Sequence, residues 1–253
     1  MLILLTNDDG IFAPGLAAME LALRRLGEVV VVAPATEQSG VGHSITFLTP
    51  LMANEAYDGE RHRGWAVEGS PADCVKLAIA QFCPRQPDLL VSGINGGLNV
   101  GINVLYSGTV AAATEGALHD IPSVAVSLEY DEHPRFDRGA EIAMGVIEQM
   151  LAHDAFRNHR LYNLNIPTSA TRGAAALRVV PMGVARWPAK FEERRDPKGR
   201  RYYWASGTPP ITFPHQTDLT AIHEGHVTLT PLSVDRTHTV QIEEMEKWRL
   251  ALR

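Results

Sequence analysis

Three short segments hold the side chains best able to do chemistry, and all three carry oxygen donors. Asn7-Asp8-Asp9-Gly10 follows the apolar run Leu2 to Thr6. Glu37-Gln38-Ser39-Gly40 lies beyond the run Glu28 to Ala33, and Gly93-Ile94-Asn95-Gly96-Gly97 follows Asp88 to Ser92. Two adjacent carboxylates, a hydroxyl and a carboxamide are hard ligands, better suited to Mg²⁺, Mn²⁺ or Ca²⁺ than to a soft metal. The sequence has no HExxH, paired CxxC or HxH, which disfavours a zinc site of the usual kind. Each segment also has a plain explanation. Asp and Gly suit tight turns, a serine in a glycine-rich loop is ordinary, and Asn95 before two glycines is turn-like. Their occurrence at three corresponding places favours a cation, because the adjacent Asp8 and Asp9 carboxylates repel each other unless a positive charge sits between them.

A second feature lies downstream. Tyr106-Ser107-Gly108-Thr109 directly precedes the helical run VAAATEG. Hydroxyls and a glycine at a helix start leave free N–H groups for an anion, although Ser and Thr there also serve as simple caps. The loop is not a Walker loop, since no GK[ST] is present, so ATP-driven chemistry is not expected.

The elements that must position these residues alternate. Leu2 to Thr6, Glu28 to Ala33 and Asp88 to Ser92 read as buried strands of the kind covered on both faces, and Pro122 to Leu128 and LYNLNIP continue the alternation as further strands. Between them, helices are expected over 14–26, 71–82, 110–119 and 136–151. Pro14 and the Ser70-Pro71 pair mark helix starts, and Gly27 marks a C-terminal cap. The stretch up to Gly69 is less regular and is compatible with a hairpin. This pattern predicts a Rossmann-like, doubly wound, mostly parallel α/β sheet. In such a sheet ligands bind beyond the carboxyl ends of the strands, where all three donor segments fall. Residues 1–167 form the expected catalytic core. Residues 168–253 read as a smaller extension with a hairpin (RRDPKGRRYYWA), a strand (HVTLTPL) and a terminal helix (VQIEEMEKWRLAL), used in oligomerisation.

Composition narrows the function classes. Hydrophobic residues are 45% of the 253 and the net charge is −6. This is ordinary globular composition without the basic face that a nucleic-acid polymer requires. No apolar run reaches membrane-spanning length. Only two cysteines occur, Cys74 and Cys83, so a disulfide framework is not expected and a cytoplasmic location is the default.

Taken in order, TNDDG, PxxxxSG, SGINGGxNxG, YSGTVAAATEG and TDLTAIHEGHVTLTPL resemble the SurE (survival protein E) family of 5′-nucleotidases. GSPADCV also fits that pattern, although the family more often has threonine before the proline. The resemblance implies a divalent cation, Mg²⁺ or Mn²⁺, one per subunit, held by Asp8, Asp9, Ser39 and Asn95. It implies removal of phosphate from nucleoside 5′- and 3′-monophosphates, with short polyphosphate as a further substrate, and dimers or tetramers built through the C-terminal elements. In that chemistry Asn99, Ser107, Gly108 and Thr109 would hold the phosphate, Asp8 would orient or deprotonate the attacking water, and Asp9 would be chiefly a ligand, or the reverse. One departure is Gly101-Ile102-Asn103, where family members often carry acidic residues.

Three other readings compete. A non-enzymatic nucleotide-binding or assembly module would use the same architecture. An aspartyl-phosphate phosphatase needs two aspartates separated by one residue, but that spacing pairs Asn7 with Asp9, and an amide is no nucleophile. A sugar-nucleotide transferase using Asp-Asp would require a donor-sugar pocket, for which the sequence carries no signal.

Overall fold

The computed structural model describes residues 1–185, 190–206 and 214–248. It opens with β1 (Leu2–Thr6), α1 (Pro14–Leu23) and β2 (Glu28–Pro34), followed by an antiparallel hairpin of β3 (Ala53–Asp58) and β4 (Arg61–Val67). Next come α2 (Pro71–Leu77), continued by a π-helical turn at Ala78–Phe82, and β5 (Leu89–Gly96). A 3-10 turn at Gly101–Leu105 leads to α3 (Gly108–Leu118), β6 (Ser123–Leu128), α4 (Phe136–Ala152) and β7 (Leu161–Ile166). The remainder contains α5 (Thr168–Arg172), β8 (Leu177–Val179), β9 (Lys190–Arg195), β10 (Arg201–Ser206), α6 (Asp218–His223), β11 (Val227–Pro231) and α7 (Thr239–Glu246).

Among the described residues one sheet has the order β3-β4-β2-β1-β5-β6-β7-β11-β8, and β9 and β10 form a separate two-stranded sheet. From β4 through β7 all neighbours run parallel, whereas β3 is antiparallel to β4 and β11 is antiparallel to β7. The chain builds outward from β1 to β2 and β4, then crosses back to lay β5, β6 and β7 on the other side of β1. The carboxyl ends of β1 and β5 therefore flank the point where the connections diverge, which leaves a crevice between them.

Alternation along the strands divides the core. Ile3 and Leu5 pack with Leu16, Met19, Met144 and Ile147 of α1 and α4, whereas Leu4 packs with Val75, Val110 and Ala113 of α2 and α3 on the other face. β1 is buried along its whole length because both faces are covered.

The segment beyond Thr168 differs from the appendage expected of it. β11 pairs antiparallel with β7, placing Thr228 opposite Asn165, and β8 then adds in parallel to β11. Buried Asp218 fastens this part by accepting backbone N–H bonds from Gly101 at 2.8 Å and Gly183 at 2.7 Å. The β9–β10 hairpin lies where RRDPKGRRYYWA predicts it. The terminal helix is seen over Thr239–Glu246, and its expected last residues, 249–252, lie outside the described residues. Among the described residues no helix is long and apolar enough to cross a membrane.

Candidate active site

The turn after β1 is closed by Asn7. Its buried carboxamide donates to Gly10 O at 2.9 Å and accepts from Gly10 N at 3.2 Å. This side-chain clasp holds Asp8 and Asp9 at the strand tip. The Asp8 carbonyl accepts from Gln38 N at 2.7 Å, which ties the Ser39 loop to the aspartates. That loop is anchored further along: Gly42 N donates to Tyr106 O at 2.9 Å, and His43 Nε2 lies 2.8 Å from Glu115 Oε2 of α3. Buried Asp73 of α2 accepts from Thr46 N, Thr46 Oγ1 and Ser70 N.

Asp8, Ser39, Asn95, Asn99 and Ser107 line one cleft of about 220 Å³, at the divergence point between β1 and β5. Asp8 is buried, and its Oδ1 accepts from the Thr109 hydroxyl at 2.5 Å. Asp9 is half-buried, with a long contact of 3.4 Å from Gly96 N to its Oδ2. Burial holds the Asp8 carboxyl above the usual carboxylate range, although the Thr109 hydrogen bond opposes the shift. Burial, reinforced by the Asp8 charge, pushes Asp9 up to about 6. Among the described residues neither aspartate has a Lys, Arg or His to offset it. Two desolvated carboxylates side by side with no cationic side chain make a site that a divalent cation fits.

The neutral donors agree with that reading. Asn95 donates through Nδ2 to Gly97 O at 2.6 Å, which leaves its Oδ1 for a hard cation. Asn95 lies inside β5 rather than in a loop, because the strand continues past a register shift to pair Asn95 with Ser127. Ser39 is exposed at the rim, and its hydroxyl donates to Glu37 Oε1 at 2.6 Å. Among the described residues no group of three His, Cys, Asp or Glu side chains is placed to hold a metal ion, so a cation here would rest on two carboxylates and neutral oxygens.

The expected phosphate residues separate into two pairs. Asn99 and Ser107 line the cleft and keep donors in reserve. One Asn99 amide hydrogen goes to Ser127 Oγ at 2.9 Å, and Ser107 Oγ caps α3 by accepting from Val110 N at 3.1 Å. That leaves one Asn99 N–H and the Ser107 hydroxyl hydrogen. Gly108 and Thr109 do not line the cleft. Thr109 is fully buried and its hydroxyl is taken by Asp8. A Cβ on Gly108 would lie 2.9 Å from Asp8 Cβ and 3.0 Å from Pro71 Cγ, so it is Asp8 and Pro71 that require a glycine here. Asn103 and Tyr106 line the cleft as well, and neither is among the site residues expected from the sequence. Asn7 and Asp73 were also missed, although Asn-x-x-Gly and Ser70-x-x-Asp73 are recognisable turn and capping patterns. A larger cavity of about 410 Å³ runs beside α3 past Leu105, Met182 and Leu232. It is mostly apolar and contains neither aspartate, whereas Asp8 lines the smaller cleft.

The SurE survival protein family model matches residues 3–189. This chain belongs to the SurE family. It is 56% identical over 252 residues to the 5′-nucleotidase SurE of Rhodopirellula baltica, covering 99% of both chains. It is 41% identical to the enzyme of that name from Desulforudis audaxviator, covering 98% of this chain and 97% of the other. A crystal structure of the SurE protein from Aquifex aeolicus superposes with a TM-score of 0.84 at 33% identity, covering 99% of this chain and all of that one. The mostly parallel SurE sheet is thus the architecture the alternating strands and helices predict.

Proposed function

We propose that this SurE chain is a divalent-metal-dependent 5′-nucleotidase that splits nucleoside monophosphates into nucleoside and phosphate. The observation that carries the reading is the convergence of Asp8, Ser39, Asn95, Asn99 and Ser107 on one cleft beside Asp9. Asp8, Asp9, Ser39 and Asn95 hold one Mg²⁺ or Mn²⁺ per subunit. When bound, the cation supplies Lewis-acid polarisation and charge neutralisation for the phosphoryl group. Asn99 and Ser107 orient the phosphate through the donors described above, at the positive end of α3. Asp8 orients the attacking water or takes its proton, and Asp9 is chiefly a ligand. Little covalent chemistry is required of the protein, since phosphoryl transfer rests on positioning and charge stabilisation.

The reading extends to assembly. Phe191, Tyr203 and Trp204 of the hairpin are 64%, 55% and 60% exposed, and Trp248 beyond α7 is 57% exposed. An apolar surface of this kind marks an interface, and a symmetric dimer, or a tetramer built from dimers, is its simplest occupant.

The decisive experiment measures phosphate release from 5′-AMP, 5′-GMP, 3′-AMP and tripolyphosphate after EDTA treatment and re-addition of single metals. Mg²⁺ or Mn²⁺ is expected to restore turnover of the 5′-monophosphates. Full turnover in EDTA would overturn the metal site. Saturable nucleotide binding without phosphate release would make the protein a binding module instead.

A further inference from the structure

We infer that Thr109 is a positioning residue for the metal ligand Asp8 and makes no contact with the substrate phosphate. The inference rests on the metal site proposed above and assigns a new role within it.

The geometry has three parts. First, Thr109 is 0% exposed and is absent from the cleft lining, so no group entering the cleft reaches its hydroxyl. Second, that hydroxyl has a partner already, donating to Asp8 Oδ1 at 2.5 Å across 101 residues of sequence. A hydroxyl has one hydrogen to donate, and a short bond to a carboxylate is among the stronger neutral-to-charged contacts. Third, the first turn of α3 is fitted around Asp8. A Cβ on Gly108 would come within 2.9 Å of Asp8 Cβ and 3.1 Å of Asp8 Oδ2. Ser107 caps the same turn through its own side chain, so Thr109 is not required as the cap.

Asp8 is thereby held from two directions. Its backbone carbonyl is fixed by Gln38 N and its Oδ1 by Thr109. The Thr109 bond restrains rotation of the Asp8 carboxylate and leaves its remaining lone pairs for a cation. Orienting a ligand through a neighbouring hydrogen bond is a recurrent device at metal sites, and its loss costs about 10- to 100-fold in metal affinity.

The test uses the full-length protein as Thr109→Val, Thr109→Ala and Thr109→Ser. Mn²⁺ binding is measured calorimetrically without substrate, and inhibition by inorganic phosphate is measured at saturating Mn²⁺. Val keeps the shape and removes the hydroxyl, Ala guards against a Val variant that fails to fold, and Ser restores the donor. Mn²⁺ affinity is expected to fall about 10- to 100-fold in the Val and Ala variants and to return to within about threefold of the parent in Ser. Phosphate inhibition at saturating Mn²⁺ is expected to stay unchanged in all three. Parent-like Mn²⁺ affinity in Val and Ala, with phosphate inhibition lost, would overturn the inference and make Thr109 a phosphate contact. Parent-like values for both would make its hydroxyl purely structural and also overturn it. Absence of Mn²⁺ binding in the parent protein would instead overturn the metal site itself.

Discussion

The start of α3 and the β9–β10 hairpin treat their side chains in opposite ways. At α3, Ser107 and Thr109 are buried, each hydroxyl has a partner within the chain, and Gly108 leaves no room for another atom. In the hairpin every residue of both strands is exposed, aromatic rings included. The first region is complete within one chain. The second is held together by its own ladder, in which Trp204 faces Glu192 and Tyr203 faces Glu193. A two-stranded hairpin alone is marginal in water, and among the described residues its strands bury no side chain. The difference is the one expected if catalytic geometry belongs to the single protomer and the hairpin serves the assembly proposed above, and three experiments can break or sharpen that division.

The largest effect is expected on the anchored side. Glu20 is buried and ion-paired to Arg24, Arg61 and Arg63. Arg63, itself buried, also donates through Nε to Ile11 O at 2.7 Å, just beyond the aspartates. Glu20→Ala strands the Arg63 guanidinium, and urea unfolding should show a loss of about 3–5 kcal/mol. A loss under 1 kcal/mol would mean the network is not what anchors the turn.

The intermediate effect concerns chemistry. Asp9→Asn keeps the shape and removes one charge, so kcat/KM should fall about a hundredfold or more. Tm measured in EDTA should not fall, because the paired repulsion is relieved. Activity within a few-fold of the parent at saturating Mn²⁺ would remove Asp9 from the machinery.

The smallest effect on a single protomer is expected from the hairpin. The double substitution Tyr203→Ser with Trp204→Ser touches no buried contact, so kcat/KM should stay within about twofold, since surface changes away from packed features have little effect. Light scattering should nonetheless show the mass fall toward the 27.7 kDa of one chain. An unchanged mass would place the interface elsewhere. A parent protein already at 27.7 kDa would remove the assembly reading.

Some of this was legible from residues alone. β1 spans the residues its apolar run predicts, because a strand covered on both faces leaves an unmistakable pattern. The other core elements differ from expectation mainly at their ends: α3 begins at Gly108 rather than Val110, and β5 runs on to Gly96. β8 and α6 left no signal, being three and six residues long and so too short to show a period. Nor could local pattern reveal that β11 would pair with β7, a partner more than sixty residues away.

The candidate site divides along the same line. The sequence by itself determined which groups are available and at which edge of the sheet they fall, because strand period and turn chemistry act over a few residues and donor type is a property of the side chain. The tertiary structure decided what each group does. Thr109 and Asp8 are 101 residues apart, and only the packing of α3 against β5 and β6, beside β1, lets that hydroxyl reach that carboxylate. The same packing buries Asp8, turns Gly108 into a contact with it, and leaves Asn99 and Ser107 facing the cleft. A hydrogen bond depends on distances of a few tenths of an ångström, and long-range packing sets those distances after the local pattern has been satisfied.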